Sequence, residues 1–498
     1  MACEQAIPVP HAPSPGPVAR IIAWRRAWLG IDHNPATLRL AQTIRGNGLL
    51  HLAFFALLWG AGLGHILLAL SIGTLILCAI FPSRRIQLIG ATGMLSLVIQ
   101  PYRFKEFPEL SARLFAKAGF DAISPALLSS AVAALFLLLC WSMLKLQAES
   151  RGNIVGQRPF LAQVILLFGL LGAGASGLCS PVATAFLWAF IGVFATNFWT
   201  LGYAFANLRS KAPAPALTHV GFLRPVWNGN MVPVGKGIAF LRKFEAKDDE
   251  ALAATRLKAL KLIVWALILQ RLDWHLGDLL ESRWGIPDLR HALLAQGGAM
   301  KLGAGMSWLV LLSHYFLKVV EVAATGHVVV ATVRMAGFAI PRNSVSPFAS
   351  RTIAEFWNRY FYYFKELLVD FFFFPAFTRF FKKNTKIRIA FATFCAASIG
   401  NCIFHLMNEI VWIPEKGLRH VIQGFESYLL YSLILASGII ISQLRNHRPK
   451  PEDGFLRYQL LPRIGVTLFF CIAIVFDDTR PGIALSDRFS FILGLTGF

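Results

Sequence analysis

PFLAQVILLFGLLGAGASGLCSPVATAFLWAFIGVFATNFWTLGYAFANL, residues 159–208, runs for fifty positions without an Asp, Glu, Lys or Arg. A water-soluble core has no use for so long a charge-free run. A bilayer does: at 1.5 Å rise per residue, a hydrocarbon layer about 30 Å thick takes ~20 apolar residues per helical crossing. The GAGASG stretch and Pro181 interrupt the run, and they predict two spans joined by a turn. Residues 46–83 are also free of charge. That is too long for one upright helix, so it reads as one tilted span plus a re-entrant piece, or as two short spans. Further apolar blocks occupy residues 86–102, 122–144, 262–280, 302–338, 389–412, 427–444, 464–476 and 483–498. The chain therefore reads as all-α: a polytopic integral membrane protein with about ten to twelve transmembrane or re-entrant helices.

Composition agrees. Of 498 residues, 56% are hydrophobic and 15% charged, against about 25% charged in soluble domains. An ordinary soluble enzyme, a disordered chain and a fibrous one are excluded. Lys and Arg number 48 against 26 Asp and Glu, a net charge of +22. The excess sits in short loops between apolar blocks, as at Arg84 and Arg85 or from Arg379 to Arg388. That is the positive-inside pattern, with some attraction to anionic headgroups. A nucleic-acid partner would gather the charge on one surface, so membrane lipids and not nucleic acid are expected around the chain.

Residues 1–45 read as a separate cytosolic segment. Pro8, Pro10, Pro13, Pro15 and Pro17 make a flexible or polyproline-like tail. Trp24 and Trp28 follow among arginines, as a membrane-surface stripe or a solvated basic tail. Residues 46–498 form one polytopic domain, with 209–261 as its longest polar loop, placed in the cytosol by its Lys and Arg content. Seven cysteines make no CxxC pair and are expected as buried, reduced thiols. No HExxH, Walker loop or GxSxG elbow occurs, and no metal site is expected.

Ionisable residues inside apolar blocks cost several kcal/mol to bury in lipid. Here they are His51, His65, His275, His314, Lys318, Glu321, His327, Arg334, His405 and Glu409. His314, Lys318 and Glu321 read as one structural polar cluster. The stretch from 326 to 409 stands apart. Trp357 to Phe374 is strongly aromatic, yet it keeps Asn358, Arg359, Lys365, Glu366 and Asp370, which suits a headgroup-level or cavity-lining position. Pro341, Pro347 and Pro375 cut the stretch into short pieces, tolerated where protein or water surrounds the backbone. His405 lies deep in an apolar helix, with Asn401 four residues before it and Glu409 four after, on one helix face.

This stretch resembles the membrane-bound O-acyltransferase (MBOAT) family, in particular its bacterial branch that modifies alginate and teichoic acid. Gly337, Phe338, Pro341, Asn343 and Pro347 follow the family pattern, as do Ser350, Ile353, Phe356, Trp357, Arg359, Asp370 and Pro375. Phe348 stands for a Tyr and Glu355 for an Asp. Ile403-Phe404-His405 occupies the place of the family's G-L-W-H-G, whose His is the catalytic one. A weaker likeness covers Pro225 to Trp265. The chain departs from the pattern at Phe361, where the family has the first motif histidine. It departs also at His327, in place of an early Asp, and at Ala376-Phe377, in place of a Gly pair.

The resemblance implies O-acyl transfer in a multi-pass protein of the bacterial cytoplasmic membrane. An acyl group, acetyl in the first instance, would pass from an acyl-CoA or acyl-carrier thioester to a hydroxyl of a cell-envelope glycan, lipid or secreted small molecule. The thioester is a co-substrate, and no tightly bound cofactor is implied. Such a transfer needs a base for the alcohol proton and a stabiliser for the oxyanion; a neutral His405 suits the first role, with Asn401 or Glu409 fixing its tautomer. Trp357, Asn358, Arg359, Phe361, Lys365, Asp370 and His327 are the expected channel or donor-binding residues. Among these, Arg359 and Lys365 are candidates for donor phosphates, and Asp370 is expected to hold the segment by pairing with a basic neighbour. Phe361 supports an alternative: a catalytically silent relative serving as a transport or assembly component, with a partner protein of an envelope pathway. A transporter built on the polar residues of 314–334 is a third reading, without repeat evidence.

Overall fold

In a bilayer the backbone finds no water to bond, so apolar blocks must satisfy their own N–H and C=O groups and become helices. The computed structural model describes residues 30–102, 107–150, 152–210, 214–227, 234–296, 302–445, 450–480 and 482–497. The Pro-rich tail, Trp24, Trp28 and Cys3 lie outside the described residues. No β-strand occurs among the described residues; one isolated antiparallel bridge pairs Glu245 with Phe338.

The charge-free block from 46 to 83 becomes two helices, α1 (Ile44–Gly60) and α2 (His65–Ile80). The side chain of Thr43 starts α1 by accepting from the Gly46 amide. A proline at position 82 ends α2, and α3 (Arg85–Ile99) leaves it at a 119° bend. Next come α4 (Pro125–Glu149), α5 (Pro159–Ala175), α6 (Pro181–Thr196) and α7 (Phe198–Leu208). The run 159–208 thus divides where expected, and its second piece is bent again by 58° at Asn197.

Two long helices follow, α8 (Asp249–Asp278) and α9 (Ala304–Met335), packed along each other. Two short ones, α10 (Ile353–Tyr360) and α11 (Tyr362–Leu368), carry the aromatic motif. Then α12 (Thr385–Lys416), α13 (Leu418–Leu444), α14 (Leu456–Ile474) and the short α15 (Leu485–Gly494) complete the chain.

Among the described residues, α4, α9, α12, α13 and α14 are each long and apolar enough to cross a bilayer, and the two bent pairs raise the number of spans to as many as seven. The expected ten to twelve counted every apolar block as a membrane-crossing or membrane-dipping helix. The remaining blocks fold as helices such as α1, α5 and α15, below the ~20 residues that a crossing needs. Leu127, Leu135 and Leu138 of α4 are exposed on the outer surface, as lipid-facing residues are. Of the six described cysteines, all free, Cys78, Cys140 and Cys471 are buried, whereas Cys179, Cys395 and Cys402 are half-buried and not fully enclosed as expected.

The interior has two apolar clusters. One gathers α1–α3, α8 and the last turns of α9 through Leu50, Phe54, Leu257, Ile263 and Val330. The other gathers α4–α7 and α10–α15 through Phe136, Phe194, Phe356, Leu435 and Phe491. Helix α9 belongs to both: Val310, Leu311, Tyr315 and Val319 serve the second, and Val328 to Met335 the first.

Candidate active-site cavity

The motif segment is built around a helix break. Thr352 caps α10 by accepting from the Glu355 amide at 3.0 Å. The helix stops at Phe361, whose backbone (φ −139°, ψ 67°) is not helical, and α11 restarts at Tyr362. The preceding loop fastens the break. The Tyr362 amide donates to the Asn343 carbonyl at 2.9 Å, the Tyr363 amide to Asn343 Oδ1 at 3.3 Å, and the Tyr363 hydroxyl to the Pro341 carbonyl at 2.7 Å. Asn343 is fully buried against α9 at Gly326, where a Cβ would lie 2.7 Å from the Asn343 Cβ. Only glycine admits the loop so close to the helix.

The charged residues of the segment are all paired. Glu355 binds Arg359 at 2.8 Å, and Lys365 binds Glu366 at 2.9 Å. Lys236, from the polar loop, reaches Glu366 at 2.8 Å and Asp370 at 2.9 Å, and the Tyr203 hydroxyl donates to Asp370 at 2.8 Å. Burial works to raise the Glu366 pKa, but Lys236 and Lys365 outweigh it and hold the carboxyl below its ordinary value. Asp370 thus ties the segment to α7 and to the polar loop.

Helix α12 carries a π-helical turn, Cys395–Gly400, just before His405. Phe372 packs on Gly400 so tightly that a Cβ there would lie 2.6 Å from its ring. The aromatic run therefore docks on α12 near the histidine. The His405 ring lies 4.5 Å from that of Tyr428 on α13, 5.4 Å from Phe404 and 6.0 Å from Phe364. His405 makes no hydrogen bond to another described residue. It faces a cavity of about 470 Å³ whose wall includes Trp357, Tyr360, Phe361, Asn401, Asn408, Tyr428 and Tyr431, a volume within the usual small-ligand range.

Part of the cavity wall is charged. Asp477, Asp478, Thr479, Arg480, Arg290, Arg488, His314 and Lys318 form it. Asp478 binds Arg290 at 2.8 Å, Arg480 at 3.0 Å and Arg488 at 3.5 Å. Lys318 binds Glu321 at 3.1 Å. His314 and Lys318 also border an open acidic depression with Asp273, Asp278, Glu281 and Glu321. No group of three His, Cys, Asp or Glu placed to hold a metal ion occurs among the described residues.

The structure brings together four of the expected site residues, Trp357, Phe361, Asn401 and His405. The others lie elsewhere. Asn358 is exposed, and Arg359, Lys365 and Asp370 are committed to the pairs above. His327 is buried on α9 among residues of the first cluster, with Nδ1 unpartnered. Asn401 and Glu409 do not bond His405. Asn401 Oδ1 accepts from Tyr428 at 2.9 Å, and Glu409 Oε1 accepts from Thr479 at 2.9 Å. Spacing of four puts side chains on one face but does not choose their neighbours.

Sequence reasoning missed Asn408, Tyr428, Tyr431 and the Asp477–Arg480 stretch. No signal singled out the last: D-D-T-R directly follows an apolar block, as a solvated loop does. No protein-family model matches the chain, and no curated protein matches it.

Proposed function

We propose that this protein is a membrane O-acyltransferase of the MBOAT type, resident in the bacterial cytoplasmic membrane. It transfers an acyl group, acetyl in the first instance, from an acyl-CoA or acyl-carrier thioester to a hydroxyl of an envelope glycan, lipid or secreted small molecule. The observation that carries the reading is convergence. Trp357 and Phe361 from the aromatic motif and His405 from a separate span line one cavity, and among the described residues no hydrogen bond to His405 competes with substrate.

The chemistry follows from that placement. Neutral His405 takes the proton of the acceptor O–H as the oxygen attacks the thioester carbonyl carbon. A C–O bond forms and the carbonyl electron pair moves onto its oxygen. Asn408 offers amide N–H groups on the same wall to steady that charge. Collapse breaks the C–S bond, and the imidazolium returns its proton to the departing sulfur. The aromatic wall keeps water, the competing acceptor, scarce.

The test is thioester consumption. Membranes carrying the wild type or His405→Ala receive labelled acetyl-CoA with a native lipid and glycan extract. Label transferred by the wild type and not by the variant is the expected result; equal transfer by both removes His405 from the mechanism. Phe361 favours a second reading, a catalytically silent relative in envelope transport or assembly, because its ring puts no polar group where the family has a histidine. That reading predicts no label transfer by either protein.

A further inference from the structure

Two aspartates follow the last span in succession, and their surroundings differ. Asp478 is held by three arginines. Asp477 lines the His405 cavity with Trp357, Tyr360, Tyr428 and Tyr431; among the described residues it makes no ion pair within 4 Å and accepts no side-chain hydrogen bond. The cation that acts on it most is Lys318, whose ammonium is bonded to Glu321. A half-buried carboxylate among aromatic rings gives up part of its hydration and gains no side-chain hydrogen bond from the described residues in return, which is costly unless a ligand supplies one.

The reacting hydroxyl cannot be that donor, because its one proton goes to His405. Asp477 must meet a different donor on the same molecule. An ammonium is the poorer fit, since Lys318, Arg290, Arg480 and Arg488 line the same space. A second hydroxyl is neutral and meets no such repulsion. We propose that Asp477 is a substrate-binding residue that accepts a hydrogen bond from a second hydroxyl of the acceptor, so that the cavity selects diols over mono-alcohols. That the molecule is the acceptor, with its first hydroxyl taken by His405, rests on the transfer reading; the unpartnered carboxylate on the cavity wall does not. Burial lifts the Asp477 pKa to about 6, which leaves it ionised and a strong acceptor at pH 7.

Binding separates the two claims. Full-length protein in nanodiscs is titrated with radiolabelled dodecylglycerol ether, a diol, and dodecanol, a mono-alcohol of equal chain length. The wild type binds the diol about ten- to a hundredfold tighter, the worth of a hydrogen bond to a charged group. Asp477→Leu brings the ratio to about one, and Asp477→Asn, a weaker acceptor of the same shape, gives a value between. The Asn variant decides the matter alone if the Leu variant does not fold. A wild-type ratio near one, or a ratio that neither variant moves, overturns the proposal. A diol preference that depends on Asp477 without any label transfer removes the transfer reading and leaves this one. Label transfer with an unmoved ratio does the reverse.

Discussion

The aromatic motif segment and the wall around His405 both place polar groups among apolar side chains, yet they treat them in opposite ways. Between Ile353 and Phe374 every charge has a partner, and Asp370 has two. Around the cavity, His405, Asn408 and the Asp477 carboxylate have none among the described residues, and the buried Asn401 Nδ2 is also unsatisfied. A polar group in a low-dielectric interior costs free energy unless paired. Where the pairing is complete the residues hold the scaffold, and where it is missing a ligand is expected to complete it.

Four substitutions press on that contrast. The largest effect on activity belongs to His405→Ala, which should reduce label transfer by about a hundred- to ten-thousandfold while leaving the melting temperature in detergent nearly unmoved; a matching drop in stability would return His405 to the scaffold. On the paired side, Lys236→Met leaves Glu366 and Asp370 half-buried without their shared cation. Thermal unfolding should report a loss of roughly 2–3 kcal/mol, somewhat under the fully buried case. Because the Glu366 pKa is held below its ordinary value, its contribution is present above the unfolded pKa and fades as pH falls through the folded one. The gap between wild type and Lys236→Met should therefore narrow in acid, and a gap that widened there would contradict the pairing.

Asp477→Asn should act in the opposite direction. The wild-type carboxyl titrates at about 6 in the folded chain, above its unfolded value, so its own contribution to stability is fully present below the unfolded pKa and is lost as pH rises through 6. Charges that set this value come from Lys318 on α9, from Asp478 beside it and from Arg488 on α15. The Asn variant escapes the loss, and at pH 7.5 it should be more stable by roughly 1–3 kcal/mol, with the advantage gone below pH 4. Melting curves across that range check it. The smallest effect is expected from Arg359→Ala. Its pair with Glu355 is partly solvated, and removal should change stability by about 0.5 kcal/mol or less. A larger loss, or any drop in label transfer, would restore Arg359 to the site.

The membrane fold was legible because charge-free runs such as 159–208 admit few other readings. His405 was legible because an ionisable residue in an apolar helix is expensive, and because its neighbourhood resembles a known motif. Asp477 was not, since two acidic residues after an apolar block look like any solvated loop until the fold turns them inward. Nor was the Lys236 clamp, whose partners are joined across a long stretch of chain. Asn401 and Glu409 show the limit of periodicity: the spacing was right, and their hydrogen bonds go to Tyr428 and Thr479 instead of His405.

Helix α9 gives its first turns to one apolar cluster and its last turns to the other. Neither cluster can melt and leave a packed partner behind, because each takes part of its interior from the same continuous rod of hydrogen-bonded backbone. The two halves are therefore one cooperative unit. Calorimetry should find a single transition, and a substitution at Val330 should lower the temperature at which the His405 cavity comes apart.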